Sequence, residues 1–178
     1  SVKKGSAQMN KLRKLYCRTF QTVFKIALPF LPYRKPKIIK SIKGIPEILK
    51  KHGKNSVLII TDAGIRELGL TRRLEQTLSA NDIKYAVYDK TVANPTTTNV
   101  DEAAERYVSE GCCAIIGFGG GSSMDCAKAV GARISKPRQP LSKMKGILKV
   151  HKKLPLLIAI PTTAGTGSET TLAAVITD

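Results

Sequence analysis

Two hydrophobic patterns alternate along this chain: short continuous apolar runs, and segments in which apolar residues recur every three or four positions. SVLIITD, from Ser56 to Asp62, is a continuous run and predicts a buried strand. LTRRLEQTLSA, from Leu70 to Ala80, has the one-sided spacing of an amphipathic helix. KYAVYD, from Lys84, predicts a second strand, because its Tyr- and Val-rich run follows the turn-forming Asn81 and Asp82. After the loop ANPTTTN, the residues Val100, Ala103, Ala104, Tyr107 and Val108 mark one face of a helix that ends at Gly111. CAIIGF is then a third strand, MDCAKAVGARI (Met124 to Ile134) a further helix, and LPLLIAI a fourth strand that runs into Pro161. Apolar strands alternating with helices predict an α/β fold with a parallel sheet covered on both faces.

The flanks are less regular. YCRTFQTVFKIALPFLPYRKPKII is apolar and basic with three prolines, which suggests an extended arm leading to a short helix around Ile45 to His52. Residues 1–54 are read as a basic arm and short helix of the same domain as the α/β region, 55–178. The final run TLAAVITD reads as a strand with no following cover, so the domain is expected to be truncated at its C-terminal end. There is no internal repeat.

Length and composition narrow the class. A chain of 178 residues, 42% hydrophobic, can bury a core and is close to the size of one domain. The formal charge of +17 is regional: half of the Lys and Arg precede residue 55, where Glu47 is the only acid. Such an arm reads first as a solvated or oligomer-facing surface and second as a polyanion-binding one. No nucleic-acid fold signature accompanies it, so no nucleic-acid partner is expected. No apolar run has the length of a membrane span, and SVKKGSAQ lacks the apolar core of a secretory signal, so no membrane partner is expected. Cys17, Cys112, Cys113 and Cys126 show no C-x-x-C spacing and read as reduced core residues, with the vicinal pair opening the third strand; a cytoplasmic setting follows.

Candidate chemistry collects in the loops. Ligands of open α/β sheets bind outside the carboxyl ends of the strands, which here are Asp62, Asp89 to Pro95, Gly117 to Ser122, and Pro161 to Glu169. In GFGGGSSMDCAKA, glycines between a strand and a helix let bare backbone approach a pyrophosphate, while a helix N-terminus offers unpaired N–H groups. The spacing departs from G-x-G-x-x-G, which needs glycine where Ser122 stands, so a tight turn remains an alternative. Ser122 and Asp125 also form an S-x-x-D capping pattern. PTTAGTGSE sets Thr162, Thr163, Thr166 and Ser168 around two glycines. Asp62 could accept the hydroxyls of a ribose and repel a 2′-phosphate, or simply cap the next turn. His52 and His151, the only histidines, stand outside any ligand-spaced cluster and read as surface or linker residues. No triad can be assembled, so no catalytic and no metal-ligating residue is assigned.

IITDAGI, VYDKTVANPTTTNV, IIGFGGGSSMDCAKAVGAR and KKLPLLIAIPTTAGTGSETTLAAVITD, in that order and with these separations, resemble the iron-containing (group III) alcohol dehydrogenases. The leader YCRTFQTVFKIALPFLPYRKP is similar to that of one branch of the family. The resemblance implies a dehydroquinate synthase-like, Rossmann-like domain binding NAD, with NADP less favoured. It also implies a C-terminal all-helical domain in which one Asp and three His hold Fe2+ or another divalent metal, beyond the residues present here. Carried onto this sequence, Gly119, Gly120, Gly121 and Ser122 would bind the pyrophosphate and Asp125 would lie near the nicotinamide ribose. Thr162, Thr163 and Thr166 would contact the diphosphate and adenine side, Asn94 and Pro95 would line the adenosine pocket, and Asp62 would contact the adenosine ribose. The implied reaction is reversible hydride transfer between a small primary alcohol or aldehyde and NAD in a homo-oligomer, with this chain inactive alone. A glycerol-dehydrogenase-like zinc enzyme and a nonenzymatic nucleotide-binding module are the alternatives.

Overall fold

The computed structural model of the chain describes residues 36–144, 152–168, 170 and 174–177. The chain divides into two units, Ser1–Ile38 and Ile39–Asp178, and every described element lies in the second. Among its described residues are four strands, β1 (Ser56–Ile60), β2 (Lys84–Tyr88), β3 (Ala114–Gly119) and β4 (Leu156–Pro161). Five helices are described: α1 (Ile45–Lys51), α2 (Ala63–Glu67), α3 (Arg72–Ser79), α4 (Thr97–Ser109) and α5 (Gly121–Ser135). Two short 3-10 turns, Ile42–Gly44 and Leu141–Met144, complete the described elements.

All four strands are parallel, in the order β2-β1-β3-β4. Parallel neighbours need crossovers, and the helices between the strands supply them. Because strand side chains alternate, β1 feeds two cores at once. Leu58 and Ile60 pack with Val100, Ala103, Tyr107, Cys126 and Val130 on the α4 and α5 side. Val57 and Ile59 pack with Ile45, Leu49, Leu74 and Leu78 on the α1 and α3 side. Val57 to Ile60 are each fully buried. That explains why this strand reads as an unbroken apolar run rather than as an alternation. Burial of a side chain of this size stabilises by about 1.5–3 kcal/mol, so the two-sided packing of β1 is a large share of what holds the sheet.

Helix boundaries depart from the sequence expectation at their N-terminal ends. α4 begins at Thr97, three residues before the expected Val100, because Thr96 and Asn99 form a reciprocal cap: each side chain bonds the other's backbone N–H. At the other end Gly111 takes a left-handed φ of 60° and stops the helix where expected. α2, five residues long and set off by the Asp62 cap, was not expected as a helix at all. β3 begins at Ala114 rather than in the Cys112–Cys113 pair. Cys112 points into the α4 and α5 core, and Cys113 is half-buried with its thiol 3.1 Å from the Ser56 carbonyl. The expected C-terminal strand is reduced, within residues 174–177, to a single parallel bridge between Thr177 and Thr96; residues 171–173 and 178 lie outside the described residues, as do Cys17 and His151.

Candidate functional site

The strand order reverses direction between β1 and β3, so the segments that follow their carboxyl ends leave toward opposite faces of the sheet, the arrangement in which open α/β sheets place a ligand crevice. Asp62 follows β1 and Gly119 to Ser123 close β3 and open α5, so both fall at this point. The loop after β4 is tied to it, with the Thr162 N–H donating to the Gly119 carbonyl at 2.9 Å. Gly119 has φ 143°, a conformation side chains rarely adopt, and a Cβ there would come within 2.6 Å of Ser123 Oγ. Beside it, a Cβ on Gly120 would sit 3.5 Å from the Thr163 side chain, and one on Gly121 would sit 3.2 Å from Ser168 Oγ and 3.8 Å from Thr166. The glycines leave bare backbone facing hydroxyls from the second loop.

α5 starts at Gly121, three residues before the expected Met124, with Gly120 in extended conformation at its cap and no side-chain cap hydrogen bond. The expected Ser122–Asp125 cap is therefore not what begins this helix. Asp125 lies in its second turn, where Oδ1 accepts from Lys128 at 3.1 Å and Oδ2 from the Val175 N–H at 3.1 Å. The longest described helix, 15 residues, thus begins without a side-chain bond from its cap residue and presents the positive end of its dipole to the crevice. Such an end suits an anion.

Asp62 proves to be a cap: Oδ1 accepts from the Ile65 N–H at 3.0 Å and starts α2. Its other oxygen, Oδ2, lies 3.5 Å from Ser123 Oγ and 3.3 Å from where a Gly119 Cβ would be. Asp62 is half-buried, and a carboxylate offers about four acceptor directions, so the cap leaves capacity for a ligand. Ser123, 1% exposed, is a site-side residue that the sequence did not single out. Its only signal is a serine on the buried face of α5, among Met124, Cys126 and Ala127. Thr61, the residue before Asp62, carries a buried hydroxyl without a hydrogen-bond partner among the described residues. Burial pushes the Cys126 thiol up to about 11, with Thr91 pulling it back in part.

Asn94 and Pro95 lie in the loop between β2 and α4. Asn94 is exposed with φ 57°, and Pro95 is buried with its carbonyl accepting from the Thr177 N–H at 2.9 Å. The structure therefore groups Asp62, Gly119, Gly120, Gly121, Thr162, Thr163 and Thr166 about the crevice, starts α5 with Ser122 in its first turn, and engages Pro95 and Asp125 with the 174–177 segment. Two surface cavities, of about 420 and 350 Å3, lie elsewhere, one beside Asp101 and Arg133 and the other beside Lys84 and Glu110. We place the candidate site at the crevice because the strand ends, glycines and helix terminus converge there. Among the described residues, no three His, Cys, Asp or Glu side chains come together to hold a metal. His52 is exposed, as expected, with Nδ1 2.8 Å from the Ile48 carbonyl. No described helix is long and apolar enough to cross a membrane.

Residues 38–178 match the model of the iron-containing alcohol dehydrogenase family. The NAD-dependent methanol dehydrogenase of Bacillus methanolicus is 36% identical over 138 residues, which are 78% of this chain and 36% of the relative. Among solved structures, the alcohol dehydrogenase from Oenococcus oeni is similar with a TM-score of 0.72 and 36% identity, over 76% of this chain and 36% of that one. Sulfoacetaldehyde reductase from Bifidobacterium kashiwanohense, solved in complex with NAD+, is similar with a TM-score of 0.68 and 29% identity, over 82% and 39%. The chain spans little more than a third of the length of these relatives. With a family match over most of its length and a parallel sheet laid out as in these solved enzymes, the chain belongs to the iron-containing alcohol dehydrogenase family.

Proposed function

We propose that residues 55–178, with the short helix before them, form the dinucleotide-binding part of an alcohol dehydrogenase that prefers NAD to NADP. The observation that carries this reading is the start of α5, which has no side-chain cap and faces the hydroxyl-rich loop after β4 at the point where the strand order reverses. A pyrophosphate fits there: Gly119, Gly120, Gly121 and Ser122 supply backbone, and Thr162, Thr163 and Thr166 supply hydroxyls opposite. Asp62 would take the adenosine ribose hydroxyls, and its charge would disfavour a 2′-phosphate. Asn94 and Pro95 would border the adenosine, and Asp125 the nicotinamide ribose.

The relative from B. methanolicus is named for NAD and methanol, and the B. kashiwanohense reductase was solved with NAD+. By kinship the reaction of the whole protein would be hydride exchange between a small primary alcohol or aldehyde and the nicotinamide. The described residues do not fit a metal, so the Fe2+ or other divalent ion of such a reaction would need donors from outside them. A calorimetric titration of the purified chain tests the binding step. Micromolar affinity for NADH and a weaker one for NADPH is expected; a folded chain that takes up neither would refute the reading.

A further inference from the structure

Between Asp62 and the glycine loop lies a contact that the nucleotide reading does not use. Ser123 is 1% exposed in the first turn of α5, yet its hydroxyl lies 3.5 Å from Asp62 Oδ2, across 61 positions of sequence. The approach exists because of Gly119. A side chain there would put its Cβ 2.6 Å from Ser123 Oγ and 3.3 Å from Asp62 Oδ2, in the gap between the two groups. The other carboxylate oxygen is held by the Ile65 N–H at 3.0 Å. The Ile65 N–H of α2 holds one oxygen, and the Ser123 hydroxyl of α5 stands at the outer limit of hydrogen-bond reach of the other, so the carboxylate is flanked by donors from two different elements. A hydroxyl so buried is costly unless it has an acceptor, which argues that the pairing is built rather than incidental.

We propose that Ser123 is a positioning residue for cofactor choice: it sets the orientation in which Asp62 meets the ribose, and so contributes to discrimination between NADH and NADPH. This rests on the nucleotide reading above. Uncharged, Ser123 has no direct preference between a 2′-hydroxyl and a 2′-phosphate; its influence must pass through Asp62. Loss of a hydrogen bond to a charged group should weaken NADH binding by about three- to tenfold and leave NADPH binding nearly unchanged.

The experiment is a double-mutant cycle on NADH and NADPH dissociation constants, using wild type, Ser123→Ala, Asp62→Gly and the double variant, each with its thermal unfolding midpoint. The expected result is a smaller NADPH-to-NADH ratio in Ser123→Ala and no further change when that substitution is added to Asp62→Gly. A ratio untouched by Ser123→Ala would overturn the inference. So would an equal drop in the Asp62→Gly background, because the effect would not then pass through the carboxylate. Wild type that binds neither nucleotide would overturn this inference and the reading beneath it together, which sets that failure apart from the other two.

Discussion

At Asp62 one side chain serves two partners, and the roles can be separated by chemistry. Asn caps helices about as well as Asp, so Asp62→Asn should cost well under about 1 kcal/mol of stability through the Ile65 contact. It removes the charge, however, and repulsion between like charges is worth several kcal/mol at a close approach. The NADPH-to-NADH ratio of dissociation constants should therefore fall by about tenfold or more, with the urea midpoint nearly unmoved. Cys126 gives a second residue-level test. Burial raises its thiol from 9.0 to about 11, and burial likewise raises the Tyr107 hydroxyl from 10.0 to about 12. Both groups therefore hold their protons in the folded chain after the unfolded chain has lost them. Their contribution to stability should be fully present below pH 9 and should be lost as pH rises from about 9 to 12. Urea midpoints taken across that range should drop, and Cys126→Ala should flatten the first part of the drop; an unchanged slope would show that Cys126 does not contribute to it.

Among the elements, α4 is the one whose start is most open to test. Thr96→Ala removes one half of the reciprocal cap and should destabilise by about 1 kcal/mol. Asn99→Ala should cost more, about 2–3 kcal/mol, because the buried Asn99 amide also donates to Tyr88 Oη at 3.1 Å and to the Lys90 carbonyl at 3.0 Å. Chemical denaturation of the two variants checks the order. These caps also explain what was legible. The strands could be read because Val57 to Ile60 and Ala114 to Ile116 are buried and apolar on both faces. The starts of α4 and α5 could not, since a first turn has no full period of buried residues and its position depends on local donors and acceptors. α2 is too short for any period to show. The glycine loop was legible as chemistry because its residues are adjacent in sequence. Ser123 was not, because its nearness to Asp62 is a product of the sheet order.

At the scale of the molecule, that order organises the site. Placing β1 between β2 and β3 brings the end of the first strand beside the start of α5, and pairing β4 with β3 brings the threonine loop over the glycines. Half of the basic charge lies before residue 55, ahead of every described strand. The central claim is thus about location, that a dinucleotide lies across the carboxyl ends of β1 and β3. Backbone amide spectra of the isotopically labelled chain, recorded while NADH is added, test it most directly. The account predicts the largest shifts at Gly119 to Ser123, with further shifts at Asp62 and Thr162 to Thr166, and little change around Asp101, Arg133, Lys84 and Glu110. Binding accompanied by shifts at either of those outlying cavities, with the glycine loop unmoved, would contradict it.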